Sequence, residues 1–206
     1  AGKVSPRELL DAAEARIAAA NPAINALPTL CFDRARKRAK AAKRTSLLAG
    51  LPIAIKDLTD VAGVRTTYGS PIYADNVPAQ SNLLVERLEA NGALVVAKAN
   101  TPEFGAGAHT FNPVFGVTRN PWDTRLSPGG SSGGSAAALA AGLVWLAEGS
   151  DLGGSLRTPA GFNAVVGMRV SPGRVARGPT ALPFDILGVN GPMARNVSDI
   201  ALFLFL

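Results

Sequence analysis

The chain predicts an α/β fold with a mixed, partly parallel sheet flanked by helices. Three observations carry this. A strand–helix–strand order is written into Leu51–Lys56, Ser81–Asn91 and Ala93–Lys98, two short apolar runs about one amphipathic segment. Such alternation is the mark of α/β layering. The composition is 47% hydrophobic and 17% charged over 206 residues, enough to bury a sizeable core. Gly and Ala are abundant and aromatics few, which suits helices packed closely on a sheet.

The elements follow in order. Ser5-Pro6-Arg7-Glu8 is a helix start, with Ser5 as cap, Pro6 at the first helical position and Glu8 completing a capping box. Leu9, Leu10, Ala13 and Ile17 form its apolar stripe, and Asn21-Pro22 is expected to stop it. Asp33 to Arg44 reads as a second helix, so the N-terminal segment of about 5–45 is helical. Ile-rich Leu51–Lys56 reads as a buried strand. Ser81 begins a helix through Leu83, Leu84, Val85 and Leu88, closed by Asn91-Gly92. Ala93–Lys98 is a second buried strand, and Thr101–Phe104 a short helix over the cleft. Phe111–Leu126 is a long connection, Ser135–Leu143 an Ala-rich helix, and Val144–Glu148 a strand. Val165–Val170 reads as another strand, Ser171–Arg174 as a turn, and Asn196 onward as a helix capped by Ser198.

Composition excludes several functions. Asp33–Arg44 holds Arg34, Arg36, Lys37, Arg38, Lys40, Lys43 and Arg44, and its net charge equals the +6 of the whole chain. Nucleic-acid binding is unfavoured, because one basic helix without aromatics or a motif reads as a solvated face. No apolar run is long enough to span a membrane. A single Cys excludes an internal disulfide and points to a reducing cytoplasm, and one His with one Cys leaves little for a transition metal. The opening Ala1-Gly-Lys-Val has no signal-peptide pattern and no Met, which implies that leading residues are absent.

Two Gly- and Ser-rich loops carry the chemistry: Ser127-Pro-Gly-Gly-Ser-Ser-Gly-Gly-Ser135 and Gly149-Ser-Asp-Leu-Gly-Gly-Ser-Leu-Arg157. Hydroxyls among clustered backbone N–H groups suit acyl transfer, in which a hydroxyl attacks a carbonyl and amides hold the oxyanion. Gly130–Gly134 matches a nucleophile-elbow pattern, but the one His, His109, precedes Ser132, and that elbow needs a downstream His. A phosphate-binding loop fails too, since no Gly-Lys-Ser/Thr follows the glycines. The base is then expected to be a lysine. Lys56 stands at a buried strand end, where desolvation disfavours the ammonium. Taken alone, it also reads as a strand-end lysine paired with Asp57. Lys98, at another strand end, is its rival. His109 reads as structural or exposed.

Lys56 and the two loops, with 24 residues between Ser131 and Ser155, resemble the amidase signature family from about Ser5 to the C-terminus. The resemblance implies one amidase signature domain over residues 1–206, with a central mixed sheet and a family sequence that continues beyond this C-terminus. It implies a Ser–Ser–Lys triad: Ser155 as nucleophile, Ser131 as bridging serine after a cis peptide at Gly130–Ser131, and Lys56 as base. The amides of Leu152, Gly153, Gly154 and Ser155 are then the oxyanion hole, supported by Ser132, Ser150, Asp151 and Arg157. It implies hydrolysis of a linear carboxylic amide without cofactor or metal, on a small-molecule substrate, and a possible homodimer contact through the first helix. An amidotransferase subunit and a non-catalytic fragment are the alternatives. In the amidotransferase group Gln usually follows the Ser-Leu/Ile-Arg run, and here that residue is Thr158.

Overall fold

The computed structural model describes residues 3–40, 45–180, 182 and 184–205. In chain order these form α1 (Pro6–Ile24), β1 (Thr29–Leu30), α2 (Phe32–Ala39), β2 (Pro52–Lys56), α3 (Leu83–Ala90) and β3 (Leu94–Ala99). There follow β4 (Phe111–Asn112), β5 (Gly116–Val117), α4 (Gly133–Ala140), β6 (Leu146–Asp151), α5 (Arg157–Asn163), β7 (Val166–Gly167), β8 (Val189–Ala194) and α6 (Val197–Leu204). The main sheet runs β1-β3-β2-β6-β8-β7, and β4-β5 is a separate ribbon. β2 is parallel to both β3 and β6, whereas β1, β8 and β7 pair antiparallel, so the sheet is mixed as expected.

Strand alternation sorts β2 between two cores. Ile53 and Ile55 join Val95, Val85, Leu88, Ile200 and Phe203 beneath α3 and α6. Ala54 joins Ala97, Ala147, Leu10, Phe32 and the Ala136–Leu139 run beneath α1, α2 and α4. Small residues on both sides let α4 lie close to the sheet. Gly134 shows how close: a Cβ there would stand 2.3 Å from the Asn100 nitrogen. The N-terminus of α4 is thereby set against the end of β3, the strand paired with β2.

Several boundaries differ from the sequence reading. α1 runs past Pro22 to Ile24. Proline in a last turn costs little, because Asn21 caps the exit by accepting from the N–H groups of Ala26 and Leu27, and Ile24 is buried. The basic helix is Phe32–Ala39, and Lys43 and Arg44 lie outside the described residues. Its face is not simply solvated: Arg36 pairs with Asp11 and Glu14, and Arg34 and Arg38 both reach Glu89. α3 is capped by Asn82 rather than begun at Ser81, whose hydroxyl accepts from Ala62 instead. α6 is capped by Asn196, not Ser198. The strand expected over Val165–Val170 is only Val166–Gly167. Four strands, β1, β4, β5 and β8, have no counterpart in the sequence reading.

Candidate active site

Lys56 ends a strand whose every residue is buried, and its own side chain is 0% exposed. Its Nζ lies 2.7 Å from Ser131 Oγ, 2.9 Å from Ser132 Oγ and 3.0 Å from Ser150 Oγ. Burial pushes its pKa down to about 7, against the opposing charges of Glu148 and Asp151.

The two serines beside it sit where the chain turns into α4. The Gly130–Ser131 peptide is cis. Ser132 is the N-cap residue of α4, yet its hydroxyl makes no capping bond. It donates instead to the Ser150 carbonyl at 3.2 Å and accepts from the Ser150 N–H at 3.2 Å. Ser135 does not cap either; its hydroxyl donates to the Glu148 carbonyl at 2.7 Å. The serine loop is thus tied to β6 by side chains. Gly149 leaves room for this contact, since a Cβ there would stand 2.8 Å from Ser132 Oγ.

β6 runs two residues beyond Gly149, farther than the expected end at Glu148, and so Ser150 and Asp151 are held by sheet pairing to Asn190 and Val189. Asp151 then organises the turn that follows. Its carboxylate accepts from the N–H groups of Gly154 at 2.9 Å and Leu156 at 3.1 Å, and from Arg157 and Arg169. Although burial acts the other way, these donors hold Asp151 well below the usual carboxylate range. One expectation is corrected here: the Gly154 N–H points into Asp151, so it is not available to an oxyanion. Among the described residues, the amides of Leu152, Gly153 and Ser155 make no intramolecular hydrogen bond.

Ser155 is half-buried and is joined to the serine loop by the Ser132 N–H, which donates to its carbonyl at 3.2 Å. No hydrogen bond engages its hydroxyl among the described residues. Ser131, Ser150, Leu152, Gly153, Ser155 and Thr158 line one cleft of about 680 Å³, walled opposite by Leu58 and Phe104 to Ala108. The short helix expected over the cleft is there as a single 3-10 turn, Glu103–Gly105.

The rival lysine has other partners. Lys98 is fully buried, 3.2 Å from Asp57 Oδ1, and donates to the Thr59 carbonyl and Thr66 Oγ1. It also takes the partner that a strand-end reading would have given Lys56. His109 is exposed, its Nδ1 2.8 Å from Ser127 Oγ. Among the described residues no group of three His, Cys, Asp or Glu is placed to hold a metal ion. No helix among them is long and apolar enough to cross a membrane.

Sequence reading passed over Glu148. It is 1% exposed, and its carboxylate accepts from the backbone N–H of Lys56 at 3.0 Å, from Thr59 Oγ1 at 3.1 Å and from Asn190 Nδ2 at 2.6 Å. Burial pushes this carboxyl up, and the Asn190 and Lys56 donors pull it back. The one signal was an acidic residue closing an apolar strand. Its partner Asn190 lies on β8, which the sequence did not disclose.

This sheet, with its buried lysine between two serine-bearing turns, is that of an amide-bond enzyme family: the Amidase family profile matches residues 8–206, and the chain belongs to that family. Among curated relatives, the glutamyl-tRNA(Gln) amidotransferase A subunit of Anaeromyxobacter dehalogenans (strain 2CP-C) is 45% identical over 208 residues, covering 98% of this chain and 42% of that protein. Among solved structures, 6-aminohexanoate cyclic dimer hydrolase with its substrate superposes at a TM-score of 0.94 with 37% identity, over 98% of this chain and 43% of that one. A bacterial aryl acylamidase of the amidase signature family superposes at 0.92 with 32% identity, over 98% of this chain and 44% of its own. The chain therefore spans less than half the length of these relatives.

Proposed function

We propose that this chain carries the centre that hydrolyses a linear carboxylic amide through an acyl-enzyme on Ser155. The observation that carries this reading is Lys56 Nζ, buried and 2.7 Å from Ser131 Oγ at the floor of a cleft that Ser155 also lines. A neutral amine has two N–H groups and one lone pair. Ser132 Oγ already donates to the Ser150 carbonyl, so it accepts from Nζ. Ser150 Oγ takes the second N–H, which leaves the lone pair for the Ser131 proton. An uncharged lysine thus uses two N–H groups and its lone pair on the three contacts, where the ammonium would donate to all three hydroxyls.

In this scheme Ser131 passes its proton to Lys56 and takes that of Ser155. The Ser155 oxygen bonds to the amide carbon, and the free amides of Leu152, Gly153 and Ser155 face the oxyanion. Ser131 then protonates the leaving nitrogen and recovers its own proton from Lys56, the C–N bond breaks, and amine or ammonia departs. Water attacks the ester by the reverse relay and releases the acid. Intact-mass analysis after a fluorophosphonate probe tests this. The expected result is one adduct, absent in Ser155→Ala and Lys56→Ala. An adduct that persists in Ser155→Ala overturns it.

A second reading is an amidotransferase subunit, favoured by the 45% identical relative so named. Thr158, where that group usually has Gln, weighs towards the free-standing amidase. Co-purification of further subunits from the source cell would reverse that preference.

A further inference from the structure

Glu148 is a buried carboxylate that the proposed relay does not use. It extends from β6 on the side of α3 and α6, where it lines a small cavity with Leu88 and Phe203. Every described group at its oxygens is a donor: the Lys56 N–H on Oε2, and Thr59 Oγ1 and Asn190 Nδ2 on Oε1. The Lys56 N–H and Asn190 amide can only donate, and the Thr59 hydroxyl accepts from Asn190 Nδ2 at 3.3 Å while it donates to Glu148, so the geometry favours the ionised form. Among the described residues no ion pair engages it.

The other buried charges near Lys56 are compensated where they stand. Asp151 is held by Arg157 and Arg169, and Asp57 by Lys98. Asp60 is only half-buried; among the described residues no cation pairs with it, and it accepts from the Tyr68 hydroxyl at 2.6 Å. Arg87 and Arg174 line the cavity behind Glu148 without pairing to it. Glu148 is left as the one buried, unpaired negative charge among the described residues near this lysine, and it is anchored to the lysine's own backbone.

We propose that Glu148 is a positioning residue that anchors Lys56 and supplies the fixed negative charge against which that lysine gains or loses its proton. This rests on Lys56 being the base. Burial alone would leave the amine neutral well into acid, and a nearby anion favours the ammonium. Glu148 thereby sets the pH at which the centre turns on.

The test is the pH dependence of fluorophosphonate labelling in the wild-type chain, Glu148→Gln and Glu148→Asp. Removing the anion favours the neutral amine, so the acid limb of Glu148→Gln moves down by about one pH unit, roughly a fivefold gain at pH 6 relative to its own plateau. Glu148→Asp keeps the charge and stays nearer the wild-type limb. A purely structural role lowers the plateau and leaves the limb in place, and that result overturns the proposal. Should Glu148→Gln fail to fold, carbon-13 NMR of the wild-type carboxyl decides. An ionised Glu148 at pH 7 whose shift moves as the lysine titrates supports the proposal; a protonated Glu148 at that pH overturns it. Labelling that survives Ser155→Ala is the separate failure of the amidase reading.

Discussion

At the residue scale, the proposed relay depends on a lysine whose ammonium is destabilised by burial. With the pKa of Lys56 brought down to about 7, the amine accepts a proton only above that pH. Labelling or hydrolysis is therefore expected to rise through neutrality to an alkaline plateau, and Lys56→Met to abolish it at every pH; a flat profile from pH 5 to 9 would refute the assignment. Lys98 is the contrasting case. Its buried pair with Asp57 joins β3 to the turn after β2. Lys98→Met leaves Asp57 buried without its cation, and the expected cost is on the order of 3–5 kcal/mol in urea unfolding. Lys56→Met removes a neutral amine from hydroxyl partners and is expected to cost less. The pair of measurements separates a base from a structural cation.

At the element scale, two devices aim the serines. One is the close seat of α4 on the sheet. Gly134→Ala sets a methyl 2.3 Å from the Asn100 nitrogen, so the helix must lift. The expected loss is about 1–3 kcal/mol in stability, with slower labelling as Ser131 and Ser132 move off Lys56; unchanged labelling would show that this seat is not needed. The other is Asp151, which holds the turn through two amides and two arginines. Its folded pKa lies below the unfolded value, so its contribution is present above about pH 4 and lost as pH falls through the folded value. Asp151→Asn is expected to cost about 3 kcal/mol at neutral pH and to flatten the acid limb of the stability curve, as read by urea titration between pH 3 and 7.

At the scale of the whole molecule, charge placement brings distant segments together. The basic run of α2 is drawn against Asp11 and Glu14 of α1 and Glu89 of α3. Glu89 is nearly buried, with a side chain 5% exposed. Arg34→Ala should therefore lower stability by about 2–3 kcal/mol, with part regained in the Arg34→Ala, Glu89→Leu double variant. No regain would mean that Arg34 acts through its packing alone. The same pairing explains why a charge that equals the net charge of the whole chain need not signal a nucleic-acid partner.

The amino-acid sequence by itself determined the strand that delivers Lys56, the two glycine-rich serine turns, the α/β order and the family resemblance. These are local: period, punctuation and spacing are written along the chain. Only the tertiary structure decided the rest. It put Lys56 beside three hydroxyls and Lys98 beside Asp57, because the two strands deliver their lysines to different surroundings. It turned the Gly154 N–H away from the cleft, because Asp151 claims it. It brought Glu148, Thr59 and Asn190 together from positions up to 131 residues apart. Such long-range convergence has no period to read, since a buried carboxylate is stable only where separate strands deliver its donors, and that depends on sheet order rather than on any one segment.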